Sequence, residues 1–200
     1  MPRPRNQAER RAQLIEAAAR AVIGNGATAV KLRDVAAEAS VTPASVLYYY
    51  SDLQELFSAV FRDAAATYFD IRKEAIAAAQ GPAEQLRACI RSGVPWPGTG
   101  ERSTRLLFEL FPVALRDEAV GQAHRLFVEQ QTELYRQVLA HGQDDGTFTL
   151  IDTPRALARS FVALEDGYAM DLLIGTVTAA DIEARLFAHA RTVTGNSALV

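Results

Sequence analysis

Apolar residues recur at spacings of three and four along almost the whole chain, and no convincing run of alternating β-branched residues interrupts them. That period predicts an all-α protein. A first helix covers residues 7–23, with Leu14, Ala18, Ala21 and Val22 on its inner face, and Gly24-Asn25-Gly26 ends it. A second places Leu32, Val35, Ala36 and Ala39 on one side and Lys31, Arg33, Asp34 and Glu38 elsewhere. Ser40 and Val41 then make a tight turn, with Val41 inward. Thr42 can accept a backbone N–H and Pro43 carries the φ that a first helical position requires, so a short third helix starts there. Ser51 or Asp52 caps a long fourth helix to residue 80, whose inner face carries Leu56, Val60, Phe61, Ala64, Tyr68, Phe69 and Ile71.

Gly81-Pro82 stops that helix, and a fifth is predicted over 83–92. The glycines and prolines of 93–100 predict a loop around Trp96. Helical pattern resumes at 102–111, with 112–114 a kink or new start at Pro112, and again at 117–141. Residues 143–147 are a turn. Asp152 or Thr153 with Pro154 opens a helix to 174, and Thr178 caps a last one over 179–193. Residues 195–200 are expected to fray. The organisation is therefore a three-helix head (1–50) joined by one long helix to a helical body (51–195).

Charge sharpens this picture. The net charge is −3, yet residues 1–50 hold seven Lys or Arg against four acids, a net of +3, which leaves −6 for the rest. Charge acts within about 8–10 Å in physiological salt, so a basic head can meet phosphates while the acidic body stays clear of them. A single cysteine, Cys89, rules out an internal disulfide, and a reducing cytoplasm is the expected compartment. Its place in the pattern Leu86, Cys89, Ile90 points to burial. No apolar run approaches the roughly 18 residues of a spanning helix, so no membrane partner is expected. His124, His141 and His189 lie on separate helices without metal-ligand spacing, and neither a Gly-rich phosphate loop nor a GxSxG element occurs. No enzyme, metal or cofactor is expected.

Two short helices across a tight turn, the second opened by Thr-Pro, have the form of a DNA-reading helix-turn-helix. With Arg33-Asp34-Val35-Ala36, Val41-Thr42, the aromatics Tyr48 to Tyr50 and a new helix carrying Leu56-Phe57, the head resembles that of the TetR family of bacterial transcriptional regulators. The resemblance runs the length of the chain: Gly142, Gly146-Thr147-Phe148 and Asp166-Gly167-Tyr168 before Leu172-Leu173 are similar to a common ligand-binding domain of that family. Three positions depart from its pattern. Ser40 stands where the turn usually has glycine, Leu47 where the reader helix usually ends in tyrosine, and Leu53 where a phosphate-binding lysine usually opens the fourth helix.

The resemblance implies a double-stranded DNA operator, a small-molecule effector and a homodimer. In the reader helix Thr42, Pro43, Ala44, Ser45 and Tyr48 are the candidates for base edges. Lys31 and the hydroxyls of Tyr48 and Tyr49 suit phosphate, while Arg33 and the arm residues Arg3 and Arg5 remain for specificity through base or shape contacts. Tyr50 is assigned to packing. Two heads about 34 Å apart would read a near-palindrome. Phe161, Leu164, Tyr168 and Leu172 with Ile182, Leu186, Phe187 and Ala190 form the expected dimer stripes, with packing inside one chain the alternative for Phe161 and Phe187. Repression relieved by the effector is the expected default.

For the body, the notable feature is acids within apolar segments: Glu109 beside Phe108 and Phe111, and Glu165 with Asp166 between Phe161 and Tyr168. With Phe61, Trp96 and Tyr135 these are the candidate effector-binding residues. A buried acid is costly unless paired, which favours a cationic or amine effector. Arg105, Arg116, Arg125 or Arg159 could instead satisfy the acids internally.

Overall fold

The computed structural model describes residues 4–199, with side chains from residue 7 onward, and among these residues every regular element is helical. In chain order they are α1 (Pro4–Asn25), α2 (Leu32–Glu38), α3 (Pro43–Tyr49), α4 (Leu53–Ala78), α5 (Gly81–Gly93), α6 (Thr99–Ala114), α7 (Glu118–Asp144), α8 (Pro154–Leu173) and α9 (Ala179–Thr194). The chain is all-α with a helix-turn-helix head, and it groups into two units. One holds the residues up to Ala66 together with Arg105–Arg125; the other holds Thr67–Thr104 and everything from Leu126. The long helices α4 and α7 contribute to both.

In the first unit Leu14, Ala17, Ala18, Ala21 and Val22 of α1 are buried, as are Val35 and Ala36 of α2 and Val46 of α3. The small side chains allow α1 and α2 to pack closely, and Arg20 of α1 fixes the crossing by donating from Nε to Glu38 Oε2 at 3.0 Å. The α2–α3 turn closes with the Val41 N–H on the Ala36 carbonyl at 2.9 Å. It requires φ +53° at Ser40, the left-handed region in which a Cβ costs energy. Thr42 caps α3 by accepting from Ser45 N at 3.2 Å. Tyr50 is buried and donates its hydroxyl to the Arg11 carbonyl at 3.4 Å, the packing role expected of it. Asp52 rather than Ser51 caps α4, its Oδ1 accepting from Glu55 N at 2.7 Å.

Helix α6 begins at Thr99 and continues through Pro112, so both the loop expected over 93–100 and the break at 112–114 are shorter than predicted. Pro112 lies in the last turn of α6, so its missing N–H interrupts the hydrogen-bond ladder only where the helix is about to end. The new start comes at Asp117, whose Oδ1 accepts from Val120 N at 3.0 Å.

In the second unit a core of Leu86, Ile90, Tyr135, Leu139, Phe161, Ile182 and Leu186 holds α5, the end of α7, α8 and α9. Two expectations fail here. The tail does not fray among the described residues: Leu199 is buried and its carbonyl accepts from Arg191 Nη1 at 2.8 Å, while Arg87 Nη2 donates to the Ala198 carbonyl. The stripe assigned to dimerisation is largely core as well, since Phe161, Ile182, Leu186, Phe187 and Ala190 are all buried within the single chain.

Candidate functional site

The reader helix α3 presents Thr42, Pro43, Ala44 and Leu47 to solvent, and Tyr48 is 66% exposed. Thr42 Oγ1 and Ser45 Oγ lie 2.9 Å apart in a hydrogen bond that either hydroxyl can donate, so the first turn carries one hydroxyl pair and two apolar side chains. Tyr48 and Tyr49 meet edge to face at 5.0 Å between centroids, which orients both rings at the helix's end. Lys31 and Arg33, at the start of α2, are also exposed; Arg33 Nε stands 3.7 Å from Asp34 Oδ1, and among the described residues no carboxylate pairs with the Lys31 ammonium. Arg3 lies outside the described residues. Arg5 falls within α1 but outside those whose side chains are described.

The candidate effector residues divide between the two units. In the first, Phe61 is buried and Phe111 is 42% exposed, and the two rings flank His124 at 5.7 and 5.3 Å. Phe108 and Glu109 are partly buried on the same helix as Phe111, and Glu109 Oε2 faces Gly26, 3.5 Å from where a side chain there would begin. In the second unit Tyr135 stacks on Phe161 at 4.6 Å, nearly parallel, and donates its hydroxyl to Glu165 Oε1 at 2.5 Å. Trp96 is 40% exposed and donates its ring N–H to the Arg91 carbonyl at 3.1 Å. Tyr168 is partly buried beneath Arg185, whose guanidinium lies 5.6 Å from its ring.

The centre of the second unit is Arg72, which sequence reasoning passed over. It is wholly buried on α4 and grips Glu165 with both Nη atoms, at 2.9 and 3.1 Å. Nη1 also donates to the Tyr68 hydroxyl at 2.5 Å, and Nη2 to the Cys89 carbonyl at 3.0 Å. Its carbon lies 5.2 Å from the ring centroids of both Tyr68 and Tyr135. Burial is the largest single influence and works to lower its pKa, but the Glu165 carboxylate together with Tyr68, Cys89 and Tyr135 holds it well above the ordinary arginine value. Gly93 completes the fit, because any side chain there would collide with the Glu165 carboxylate and with Arg72 Nη1. Glu165 is therefore satisfied from α4, by none of the arginines the sequence suggested.

A signal for Arg72 was present. It sits one turn beyond Tyr68 and Phe69 on α4's apolar stripe, as Glu165 interrupts the stripe of α8, and two opposite charges breaking two inner faces point at each other.

Asp166 differs from its neighbour. It is partly buried, no described group hydrogen-bonds or ion-pairs with its carboxylate, and burial followed by the Glu165 charge pushes its pKa up to about 6, against the pull of Arg159 and Arg72. A cleft of about 270 Å³ opens in the same unit, lined by Tyr68, Ile71, Val94, Trp96, Gly100 and Ser103 among others. Tyr68 thus borders the cleft while its hydroxyl belongs to the buried network, donating to the Gly93 carbonyl at 3.2 Å. Burial drives its pKa far above the ordinary tyrosine range.

His141 Nδ1 lies 3.1 Å from Gln85 Oε1, and His189 Nε2 lies 2.9 Å from Ser160 Oγ while its ring meets Phe161 edge to face at 4.8 Å. Among the described residues no cluster of ligating side chains could hold a metal, and no helix is long and apolar enough to cross a membrane.

An exposed reader helix behind a basic flank, on a helical body with a buried polar centre, defines a helix-turn-helix transcription factor. Residues 14–60 match the family described as bacterial regulatory proteins, tetR family, and residues 82–195 match the BetI-type transcriptional repressor, C-terminal. The chain is 33% identical to the HTH-type transcriptional regulator BetI of Agrobacterium fabrum over 194 residues, 86% of this chain and 92% of the relative. Among solved structures it is similar to a TetR transcription regulator from Haloarcula marismortui, with a TM-score of 0.84 at 21% identity over 94% of this chain and 99% of that one. It is also similar to a transcriptional regulator from Saccharomonospora viridis in complex with choline, with a TM-score of 0.83 at 18% identity over 90% and 94%. The chain belongs to the TetR family of transcriptional regulators: it is a DNA-binding transcription factor and not an enzyme.

Proposed function

We propose that the protein is a repressor that binds a near-palindromic operator as a homodimer and releases it when a small quaternary ammonium or amine of the choline class enters the second unit. The observation that carries the effector's charge is Asp166, a partly buried acid without a partner among the described residues, in the unit that also holds the buried Tyr68, Tyr135 and Glu165. An uncompensated carboxylate in a unit with buried tyrosine rings is stabilised by a cation that keeps few hydrogen bonds to water. The choline bound by the S. viridis regulator and the BetI-type match of residues 82–195 favour the same class.

On the DNA side the residues proposed are Arg3, Arg5, Lys31, Arg33, Thr42, Pro43, Ala44, Ser45, Tyr48 and Tyr49, with 1–50 as the DNA-binding domain. Because Pro43 and Ala44 lack polar side-chain atoms, base reading rests on thymine methyl contacts, the Thr42–Ser45 hydroxyls and groove shape. For the dimer the buried stripe is replaced by the outer face of α8 and α9. There Ala163, Gly167, Met170 and Ile174, and Ala180, Ala184 and Ala188, are exposed at helical spacing.

The test is binding to the DNA flanking the protein's own gene, followed by fluorescence anisotropy at several salt concentrations and titrated with choline, betaine and a neutral alcohol. Selective binding that choline reverses supports the reading. Binding indifferent to every cation removes the proposed effector, and the absence of selective binding removes the operator.

A further inference from the structure

The centre of the second unit already has the form of a cation receptor, and it is full. Two tyrosine rings stand 5.2 Å from the Arg72 carbon, within the range in which an aromatic face attracts a cation, and Glu165 supplies the balancing charge. Aromatic faces with one carboxylate are how proteins recognise substituted ammonium groups. Yet the guanidinium is held imperfectly: Arg72 Nε and the neighbouring Gln131 Nε2 are buried without a hydrogen-bond partner among the described residues. A buried ion pair contributes little net stability once its desolvation is counted, and an orphaned N–H lowers that further. The cleft lined by Tyr68, Ile71, Val94 and Trp96 is bordered by one of the two caging tyrosines and by the exposed Ile71 and Trp96.

We infer that Arg72 is a resident occupant of the effector's cation cage, a tethered competitor that a cationic effector must displace from Tyr68, Tyr135 and Glu165. Displacement removes the polar anchor of α4 within the second unit, and α4 is also the helix that follows the reader helix in the chain. A ligand that exchanges one cation for another in this way keeps Glu165 compensated throughout, so neither end state leaves a bare buried carboxylate. The inference rests on the cationic-effector reading for its biological meaning, but the cage itself can be examined separately.

The experiment compares wild type with Arg72→Ala, Arg72→Met and Arg72→Met/Glu165→Gln, using calorimetry and thermal shift with methylguanidinium, tetramethylammonium and choline, against equal sodium chloride. If the wild-type cage is vacant in a tenth of molecules or fewer, removing the occupant tightens tetramethylammonium binding by about tenfold or more. Methylguanidinium should raise the melting temperature of Arg72→Ala saturably and of wild type hardly at all. The double variant should lose both effects. In wild type, saturating choline should expose the Arg72 peptide to butanedione, from which burial otherwise protects it.

Folded Arg72 variants with no gain in affinity, or a double variant that keeps it, overturn the inference. So does the combination of unfolded Arg72 variants with an Arg72 that stays protected in choline-saturated wild type. Choline that fails on wild type while the Arg72 variants bind tetramethylammonium would sink the effector reading and leave the cage standing. Choline that binds wild type and every variant alike would do the reverse.

Discussion

Single residues carry the clearest physical conflicts in this molecule. Asp166 has a folded pKa of about 6, above the ordinary aspartate value of 3.8. Between these values the folded state binds more protons than the unfolded one, so this group's contribution falls as pH rises from about 4 to 6, and above that the fold bears the whole cost of an ionised carboxylate. Asp166→Asn should therefore be more stable at pH 7, by up to about 3 kcal/mol, and should lose that slope. Urea midpoints at pH 4, 6 and 7 measure it, and choline response should weaken in the same variant. Gly93 shows the opposite economy. With Glu165 and Arg72 packed against its missing side chain, Gly93→Ala should cost about 1–3 kcal/mol, the range for forced overpacking, and lower the melting temperature accordingly. Ser40, at φ +53°, should gain about 1 kcal/mol on conversion to glycine, read as a higher melting temperature with unchanged circular dichroism.

At the scale of elements, Thr42 both caps α3 and faces solvent. Thr42→Ala should destabilise the head by about 1 kcal/mol and weaken operator binding by more than that loss alone explains. Comparing anisotropy with thermal melts separates the two. Lys31→Ala should weaken binding on all DNA sequences alike and reduce the salt slope by about 1, the signature of one lost phosphate contact.

Helix order and the Thr42, Thr153 and Thr178 caps were legible in sequence, because each depends on side chains within four residues of one another or on one strong period, whereas the unusual residue in the turn, Ser40, and the packing of Tyr50 came through the family resemblance. The structure of the second unit's centre was not. Arg72 and Glu165 lie 93 positions apart, so although each charge interrupts the inner face of its own helix, only the assembled fold joins them. The same blindness sent α9's stripe to a dimer surface. An apolar face records that something covers it, and here α5, α8 and the tail do so within one chain.

For the whole molecule, two-fold association is the decisive expectation, since one head with a hydroxyl pair and few cations makes too few contacts for useful affinity. Ala184→Glu, on the exposed side of α9, should shift sedimentation toward a monomer and lower operator affinity at least about tenfold, leaving the head's fold intact by circular dichroism. A monomeric wild type at micromolar concentration would reject this arrangement.

Cys89, the chain's single cysteine, is sealed with its sulfur 3.4 Å from Arg72 Nη2, and burial holds its thiol at a pKa of about 11. Thiol reagents should find it silent in the closed protein, so its labelling rate becomes a native clock for opening of that region, with no engineered reporter. The same silence gives a clean background: a cysteine introduced at exposed Ala44 could carry a spin label alone, and the distance between two such labels would measure head separation with and without choline.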